Sequence, residues 1–374
     1  MRIGLVCPYS LSIPGGVQGQ VLALARSLRR RGHEALVLAP CDGPPPEVFV
    51  IPLGSSIPTA TNGSVAPIAP DIPAQLRTMR ALWDEDFDVV HLHEPLAPGP
   101  TVTAALLKTA PLVGTFHAAG EQPAYQKLSA LATWFGNRLD ARVAVSEDAR
   151  LMVAGVMPDD VRVLFNGIEG ERFRSAEPWP AQAPTIFFLG RHEPRKGLEV
   201  LLQAVSDLPE DTQIWVAGTG PQTAELQQRY PDSRVQWLGR ISDEEREQRM
   251  RAATIFCAPS LGGESFGIIL LEAMAAETAV VASAISAYSQ VATAPYGLAA
   301  ELVEPGNAPA LALALNKVLD DSFLASSLQV AGSLRAQEFD LELLCDAYLE
   351  IYSDLIVAAE KAPPKATSLR VRVR

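Results

Sequence analysis

The feature that most constrains this chain is an alternation that runs, pauses and starts again. RIGLVCP, EALVLAP, DVVHLHEP, PLVGTFH and ARVAVS form a first series of short apolar stretches with helical patterns between them. TIFFLGR, QIWVAGTG, RVQWLGRI, TIFCAPS and AVVAS form a second. Stretches that are apolar at successive positions, rather than at every other one, belong to strands buried on both faces, as in parallel sheets covered by helices. Between the first two strands, Val17, Val21, Leu24 and Leu28 recur at helical spacing. Arg29, Arg30 and Arg31 load the last turn and Gly32 follows as a C-cap, both suited to the negative end of a helix. A chain of 374 residues has room for two cores. The expectation is α/β: two doubly wound domains with a cleft between them and ligands at the carboxyl ends of the strands. The proline- and alanine-rich SAEPWPAQAP, 175–184, reads as the linker.

Composition closes off several function classes. With 48% hydrophobic and 20% charged residues the chain is globular, and a net charge of −12 argues against general nucleic-acid binding. Cys7, Cys41, Cys257 and Cys345 are scattered without a C-x-x-C pair, so neither structural zinc nor a disulfide framework is expected, and a reducing compartment fits. The first residues read as a strand rather than a signal peptide. The most apolar stretch, 268–285, is interrupted by Glu272 and Glu277, so no transmembrane helix is expected. The tail KAPPKATSLRVRVR carries Lys361, Lys365, Arg370, Arg372 and Arg374 and no acid. It reads as a solvated end or as a weak attraction to anionic lipid.

Four constellations can carry chemistry, in loops after strands or at helix starts. Gly15-Gly16, in the long turn PYSLSIPGGVQGQ, opens a helix whose free amides favour an anion. With Gly19 it has the wrong spacing for the G-x-G-x-x-G of a dinucleotide fold, and a glycine pair that only shapes a loop remains an alternative. In GRHEPRKG, Arg191, Arg195 and Lys196 crowd a helix start, where cations are unfavourable unless they face an anion such as a pyrophosphate. The alternative is a solvated basic loop. In GGESFGIILLEAMAAE, Glu264 stands at the start of a helix, and Glu272 lies eight residues on in a nearly all-apolar body. A buried carboxylate needs donors, which the two hydroxyls of a ribose or an ion pair within the domain could supply. His117 ends the strand GTFH, where a structural role is the commoner one. Two decoys stand beside these. The acidic D-x-D of Asp86 and Asp88 precedes a strand and so lies at the wrong sheet edge. His91 and His93 share a strand face but lack an obvious third metal ligand.

Taken together, Arg191, Lys196 and the Glu264-x7-Glu272 pair resemble the signature of retaining GT-B glycosyltransferases of family four. Within it the chain is most similar to actinobacterial phosphatidylinositol mannosyltransferases. MRIGLVCPYS…PGGVQ, HEALVLAP, NGSVA, FDVVHLHEP, TFH, FNGI, GGESFGIILLEAMAA and AVVAS carry the resemblance through almost the whole chain. It implies a GT-B fold with an acceptor domain over 1–170 and a nucleotide-sugar donor domain over 171–345. Residues 346–374 would form a helix returning to the first domain and a basic tail.

The implied activity is transfer of a hexose, mannose from GDP-mannose, to a lipid or polyol acceptor such as phosphatidylinositol, with retention and without a required metal or other cofactor. Gly15 and Gly16 would close over the donor diphosphate. Arg191 and Lys196 would neutralise the leaving group. Glu264 would meet sugar hydroxyls, Glu272 would hold the ribose, and the Phe266-Gly267-Ile268 backbone would add amides. Ile241, Asp243 and Arg246 would contact guanine. Tyr9, Gln18, Asn62, Ser64 and His117 would line the acceptor side, and His117 would join Arg191, Lys196 and Glu264 as the catalytic set.

The acceptor side also departs from the family. Its tyrosine and arginine flanking NGSVA are Thr61 and Pro67 here, and its threonines and lysine after the histidine become Ala118, Ala119, Glu121 and Gln122. The basic membrane helix is thinned to Arg77 and Arg80. A cytoplasmic enzyme at the inner face of the plasma membrane, in weak peripheral contact with it, is the implied setting. The rival readings are another nucleotide-sugar transferase with a non-inositol acceptor, a nucleotide-dependent epimerase or oxidoreductase, and a non-catalytic nucleotide-sugar binder. The missing G-x-G-x-x-G speaks against the oxidoreductase.

Overall fold

The computed structural model describes residues 1–61, 64–118, 129–154 and 160–361. The chain divides into two compact units, Met1–Leu164 with Cys345–Arg374, and Phe165–Leu344.

The first unit is built on β1 (Arg2–Val6), β2 (Glu34–Ala39), β3 (Val50–Pro52), a hairpin of β4 (Ile57–Thr61) and β5 (Ser64–Ile68), and then β6 (Val89–His93), β7 (Leu112–Phe116), β8 (Ala141–Ala144) and β9 (Val161–Val163). Seven strands form one sheet in the order β3-β2-β1-β6-β7-β8-β9, with every pairing parallel. Ile3 lies between Ala35 on one side and Val89 on the other. The chain winds outward from β1 through β3 and then returns to β6, so β1/β6 is where the winding reverses. Side groups at the carboxyl ends of these two strands flank a natural ligand crevice.

The helix Gly16–Arg30 buries Val21, Leu24 and Leu28 of the apolar stripe read from the sequence and half-buries Val17, at its first turn. Arg29 and Arg30 occupy its last turn, and Gly32 follows at φ +81°, a left-handed conformation that glycine adopts without strain.

The second unit runs β10 (Thr185–Leu189), β11 (Gln213–Ala217), β12 (Val235–Gly239), β13 (Ile255–Ala258), β14 (Ala279–Ser283), a short hairpin of β15 (Thr293–Ala294) and β16 (Gly297–Leu298), and β17 (Glu301–Val303). The sheet order is β12-β11-β10-β13-β14-β17, again parallel throughout. Alternate residues of the same strand feed two cores. Phe187 and Trp215 pack with Phe256, Leu270 and Met274 on one face. Ile186, Phe188 and Ile214 pack with Leu201 and Leu311 on the other. Each such side chain contributes about 1.5–3 kcal/mol on burial. This is why these strands read as unbroken apolar runs. The reversal of winding here is β10/β13.

The structure differs from the sequence reading at the segment 175–184. It is no linker between units but a strap on the second one. The Trp179 amide donates to the Gln248 carbonyl at 3.0 Å, and the Arg249 guanidinium lies 4.2 Å from the Trp179 ring. The chain instead passes between units at Leu164/Phe165 and at Leu344/Cys345. The final helix, Leu341–Lys361, spans that second point, and its Tyr348 and Tyr352 are buried against β6 and β7 of the first unit.

Candidate active site

In the second unit the site grows from the exits of β10 and β13. After β10 the chain passes Arg191 and Glu193, makes one 3-10 turn, Pro194–Lys196, and enters the helix Leu198–Ala204 through Gly197. Gly197 has φ +67°, and a Cβ there would lie 1.9 Å from the Pro259 carbonyl oxygen. The exit loop of β13 is therefore pressed directly onto the basic turn. That contact brings Glu264 to Lys196. Its Oε1 accepts from Lys196 Nζ at 2.6 Å, from Ser260 Oγ at 3.1 Å and from Arg195 Nη1 at 3.5 Å. Arg195 also reaches the Gly263 carbonyl at 3.2 Å and, through Nη2, Glu193 Oε1 at 2.7 Å. Arg191 Nε lies 3.7 Å from Glu193 Oε2.

Three cations thus share two carboxylates, leaving one positive charge in excess. The basic loop is not simply solvated: Glu264 is 14% exposed and Lys196 20%, while Arg191 remains 49% exposed. Charges already held in place this way need little reorganisation when a negative group arrives.

Glu264 itself does not start a helix. The helix begins at Ile268, and Glu264 sits in the loop before it. Gly267 separates the two at φ +99°, where a Cβ would lie only 2.8 Å from Tyr288 Cδ1, too close to fit without a shift. Behind Glu264, Tyr288 Oη lies 3.0 Å from Ser260 Oγ, so a buried tyrosine fixes the serine that fixes the carboxylate. The Phe266 side chain is core, stacked on Phe165 at 5.7 Å between ring centres. Only the backbone of Phe266-Gly267-Ile268 is left to offer donors. Ser260, Tyr288 and Glu193 escaped the sequence reading, because their partners lie on other segments and no local spacing marks them.

A second group forms around Glu272. Its side chain is 12% exposed and lies 3.6 Å from Arg246 Nη1, while Arg246 Nη2 is 3.6 Å from Asp243. Burial pushes the Glu272 carboxyl pKa up, and the Arg246 charge only partly opposes it. The ion pair within the unit that the sequence left open as an alternative is therefore present, but at longer than hydrogen-bond distance. Asp243 opens a helix, Asp243–Ala252, capped by Ser242, whose Oγ accepts from the Glu245 amide at 3.1 Å. Ile241 packs against the core just before that cap.

In the first unit the exits of β1, β6 and β7 carry the remaining residues. Gly15 caps the helix Gly16–Arg30 in extended backbone, and a Cβ at Gly16 would meet nothing within 4 Å among the described residues. Gly16 therefore leaves open space at the helix start instead of relieving a clash. Gln18 braces the loop through its Nε2, which donates to the Ile13 carbonyl at 3.1 Å and the Ser10 carbonyl at 3.4 Å. Ser10 N donates to the Pro67 carbonyl at 2.8 Å, so the buried Pro67 serves the fold. Ser64 opens β5 opposite Thr61. Asn62, Ala119, Glu121, Gln122 and the tail beyond Lys361 lie outside the described residues.

His117 is buried at the exit of β7, its Nε2 2.9 Å from His93 Nδ1. Its amide and that of Ala118 donate to Glu94 Oε1 at 2.6 and 2.5 Å. Burial holds the His117 pKa down at about 3 and raises that of Glu94 to about 7 despite the two amides. The Tyr9 hydroxyl is pushed well above its usual pKa by burial and by the nearby Glu94 charge. Rather than forming a metal pair, His91 and His93 have ring nitrogens bonded to Tyr352, Thr115 and His117. All four cysteines are buried thiols outside any disulfide.

The family described as "Glycosyltransferase Family 4" matches residues 14–172, and that described as "Glycosyl transferases group 1" matches 183–321. The phosphatidyl-myo-inositol mannosyltransferase of Mycobacterium leprae (strain TN) is 36% identical, over 96% of this chain and 99% of its own. That of Propionibacterium freudenreichii subsp. shermanii is 37% identical over 86% of this chain and 87% of its own. Among solved structures, sucrose-phosphate synthase from Thermosynechococcus elongatus superposes with a TM-score of 0.77 at 21% identity, over 96% of this chain and 99% of that one. Anabaena Alr3699/HepE in complex with UDP and glucose gives 0.75 at 19% identity, over 95% and 100%. The fold of these neighbours is shared. Among the described residues no helix is long and apolar enough to cross a membrane.

Proposed function

The chain belongs to glycosyltransferase family four, and on that premise we propose that it moves a mannosyl residue from GDP-mannose to phosphatidylinositol with retention of configuration. The observation that carries this reading is the 36% identity, over nearly the whole of both chains, to a phosphatidyl-myo-inositol mannosyltransferase. The cluster at the exits of β10 and β13 supplies the chemistry. Arg191, Arg195 and Lys196 meet the diphosphate and stabilise the charge that grows on it as the bond to the sugar breaks. The anomeric carbon leaves its phosphate oxygen and bonds the acceptor oxygen on the same face. The acceptor proton passes to the departing phosphate. Glu264, already anchored by Lys196 and Ser260, accepts hydrogen bonds from sugar hydroxyls through its remaining lone pairs. Glu272 takes the two ribose hydroxyls. Its poorly compensated carboxylate gains from such donors what the distant Arg246 does not provide.

Weak membrane contact fits the helix Ile72–Asp84, where Ile72, Leu76 and Trp83 are exposed beside Arg80. Calorimetric titration with GDP, UDP and ADP tests the donor. GDP should bind at least about tenfold more tightly, a difference of about 1.4 kcal/mol. Equal binding of the three would overturn GDP-mannose as the donor.

A further inference from the structure

The reaction as derived makes no use of His91 and His93, yet both lie on a strand that is buried along its whole length. The rings of His91, His93 and His117 form a column with centres 4.2 and 5.2 Å apart. His91 is fully bonded, with Nδ1 2.7 Å from Tyr352 Oη and Nε2 2.7 Å from Thr115 Oγ1, which lies 2.9 Å from Tyr348 Oη. His93 is not. Its Nδ1 meets His117 Nε2 at 2.9 Å, and its Nε2 is buried with no hydrogen-bond partner among the described residues. His117 Nδ1 is bonded to no described residue.

Burial keeps all three rings neutral at pH 7. A neutral imidazole carries one N–H, so the bond between His93 and His117 has two proton arrangements. If His117 donates from Nε2, the proton of His93 must sit on its own Nε2, as a buried N–H without an acceptor. If His93 donates from Nδ1, its Nε2 is only an unfilled lone pair. Orphaned buried N–H groups are the rarer of the two defects in folded proteins. The second arrangement leaves the proton of His117 on Nδ1.

We propose that His93 is a positioning residue that fixes His117 as the Nδ1–H tautomer, so that His117 offers a neutral hydrogen-bond donor, and not a base, to an oxygen of the bound acceptor. This rests on the reading of the site as one for sugar transfer. It agrees with that chemistry, in which the departing phosphate takes the proton and no enzyme base is required. It also agrees with an imidazole too weakly basic to collect a proton at neutral pH. Tyr352 and Thr115 hold His91, and His91 stacks behind His93, so the column is anchored on the final helix.

The test is a long-range nitrogen–proton correlation spectrum of the full chain labelled with 15N-histidine. His117 should show a protonated Nδ1 and a bare Nε2. In His93→Phe the proton should move to Nε2, the commoner form of a free imidazole, and kcat should fall by about tenfold with the donor KM unchanged. His93→Asn, whose side-chain N–H reaches the place of Nδ1–H, should restore both. A wild-type His117 protonated on Nε2 overturns the proposal, as does an unchanged tautomer in folded His93→Phe. If His93→Phe does not fold, the wild-type spectrum alone decides. The spectrum needs no substrate. An Nδ1–H tautomer without mannosyl transfer therefore sinks the functional reading and leaves the role of His93 standing.

Discussion

Lys196 and Glu264 join two loops through one contact. At 2.6 Å, with both side chains mostly covered, the pair holds the loops after β10 and β13 together, and in the proposed mechanism it also keeps the ammonium where a leaving diphosphate needs it. Lys196→Ala should lower kcat by about 10²–10³-fold, the usual effect of losing one preorganised donor, with the circular dichroism spectrum unchanged. Wild-type turnover in that variant would remove Lys196 from the mechanism. Ser260→Ala frees the carboxylate from one of its three donors and should cost less, about tenfold in kcat, because Lys196 and Arg195 remain. Arg191, Lys196 and Glu272 could be named from sequence because each breaks a local rule: cations at a helix start, a carboxylate inside an apolar run. Ser260 and Tyr288 obey every local rule, and only the packing of β13 against β10 gives them a task.

At the scale of elements, the glycines that join strands to helices set the site's dimensions. Gly197 stands where any side chain would strike the Pro259 carbonyl, a backbone atom with no rotamer to yield. Gly197→Ala should destabilise the second unit by about 2–3 kcal/mol and depress activity with it, read as a drop in thermal midpoint. Gly16→Ala is the contrast: with nothing within 4 Å, it should leave the midpoint unchanged while affecting turnover if the helix start contacts substrate.

The strands β1, β2, β6–β8 and β10–β14 were legible almost residue by residue, because burial writes itself as continuous apolar sequence, whereas β3, β9 and β17, three residues each and partly exposed, and the two hairpins left no such run. Helix starts were less so. SFGIILLEAMAAE has helical periodicity from its first residues, but Gly267 at φ +99° delays the helix and leaves Glu264 in a loop. The segment 175–184 misled for a similar reason. Proline and alanine mark irregular backbone, but not whether it hangs free or, like Trp179 on Arg249, packs down.

At the scale of the molecule, the buried histidines set the response to acid. All five histidines of the chain have their pKa lowered, with burial the first cause in each case. Such groups take up protons only on unfolding once the pH falls below about 6.5, so their contribution is full above that value and is lost towards about 3. Glu94, raised to about 7, acts in the opposite sense: its contribution is full below about 4.5 and is lost as pH rises through about 7. The histidines outnumber it. The unfolding free energy from urea titrations should therefore fall between pH 7 and pH 5.5, by about 1.4 kcal/mol per pH unit for each unbalanced proton. Glu94→Gln should steepen that fall, and a flat profile in both proteins would contradict the burial described.

The most direct measurement of the whole account is the product formed from GDP-[14C]mannose and phosphatidylinositol vesicles, with free inositol phosphate and inositol as parallel acceptors. Transfer with retention should give a radiolabelled lipid whose mannose has the α configuration of the donor and is released by α-mannosidase. A β-linked product, or GDP-mannose bound while phosphatidylinositol stays unlabelled, would contradict it.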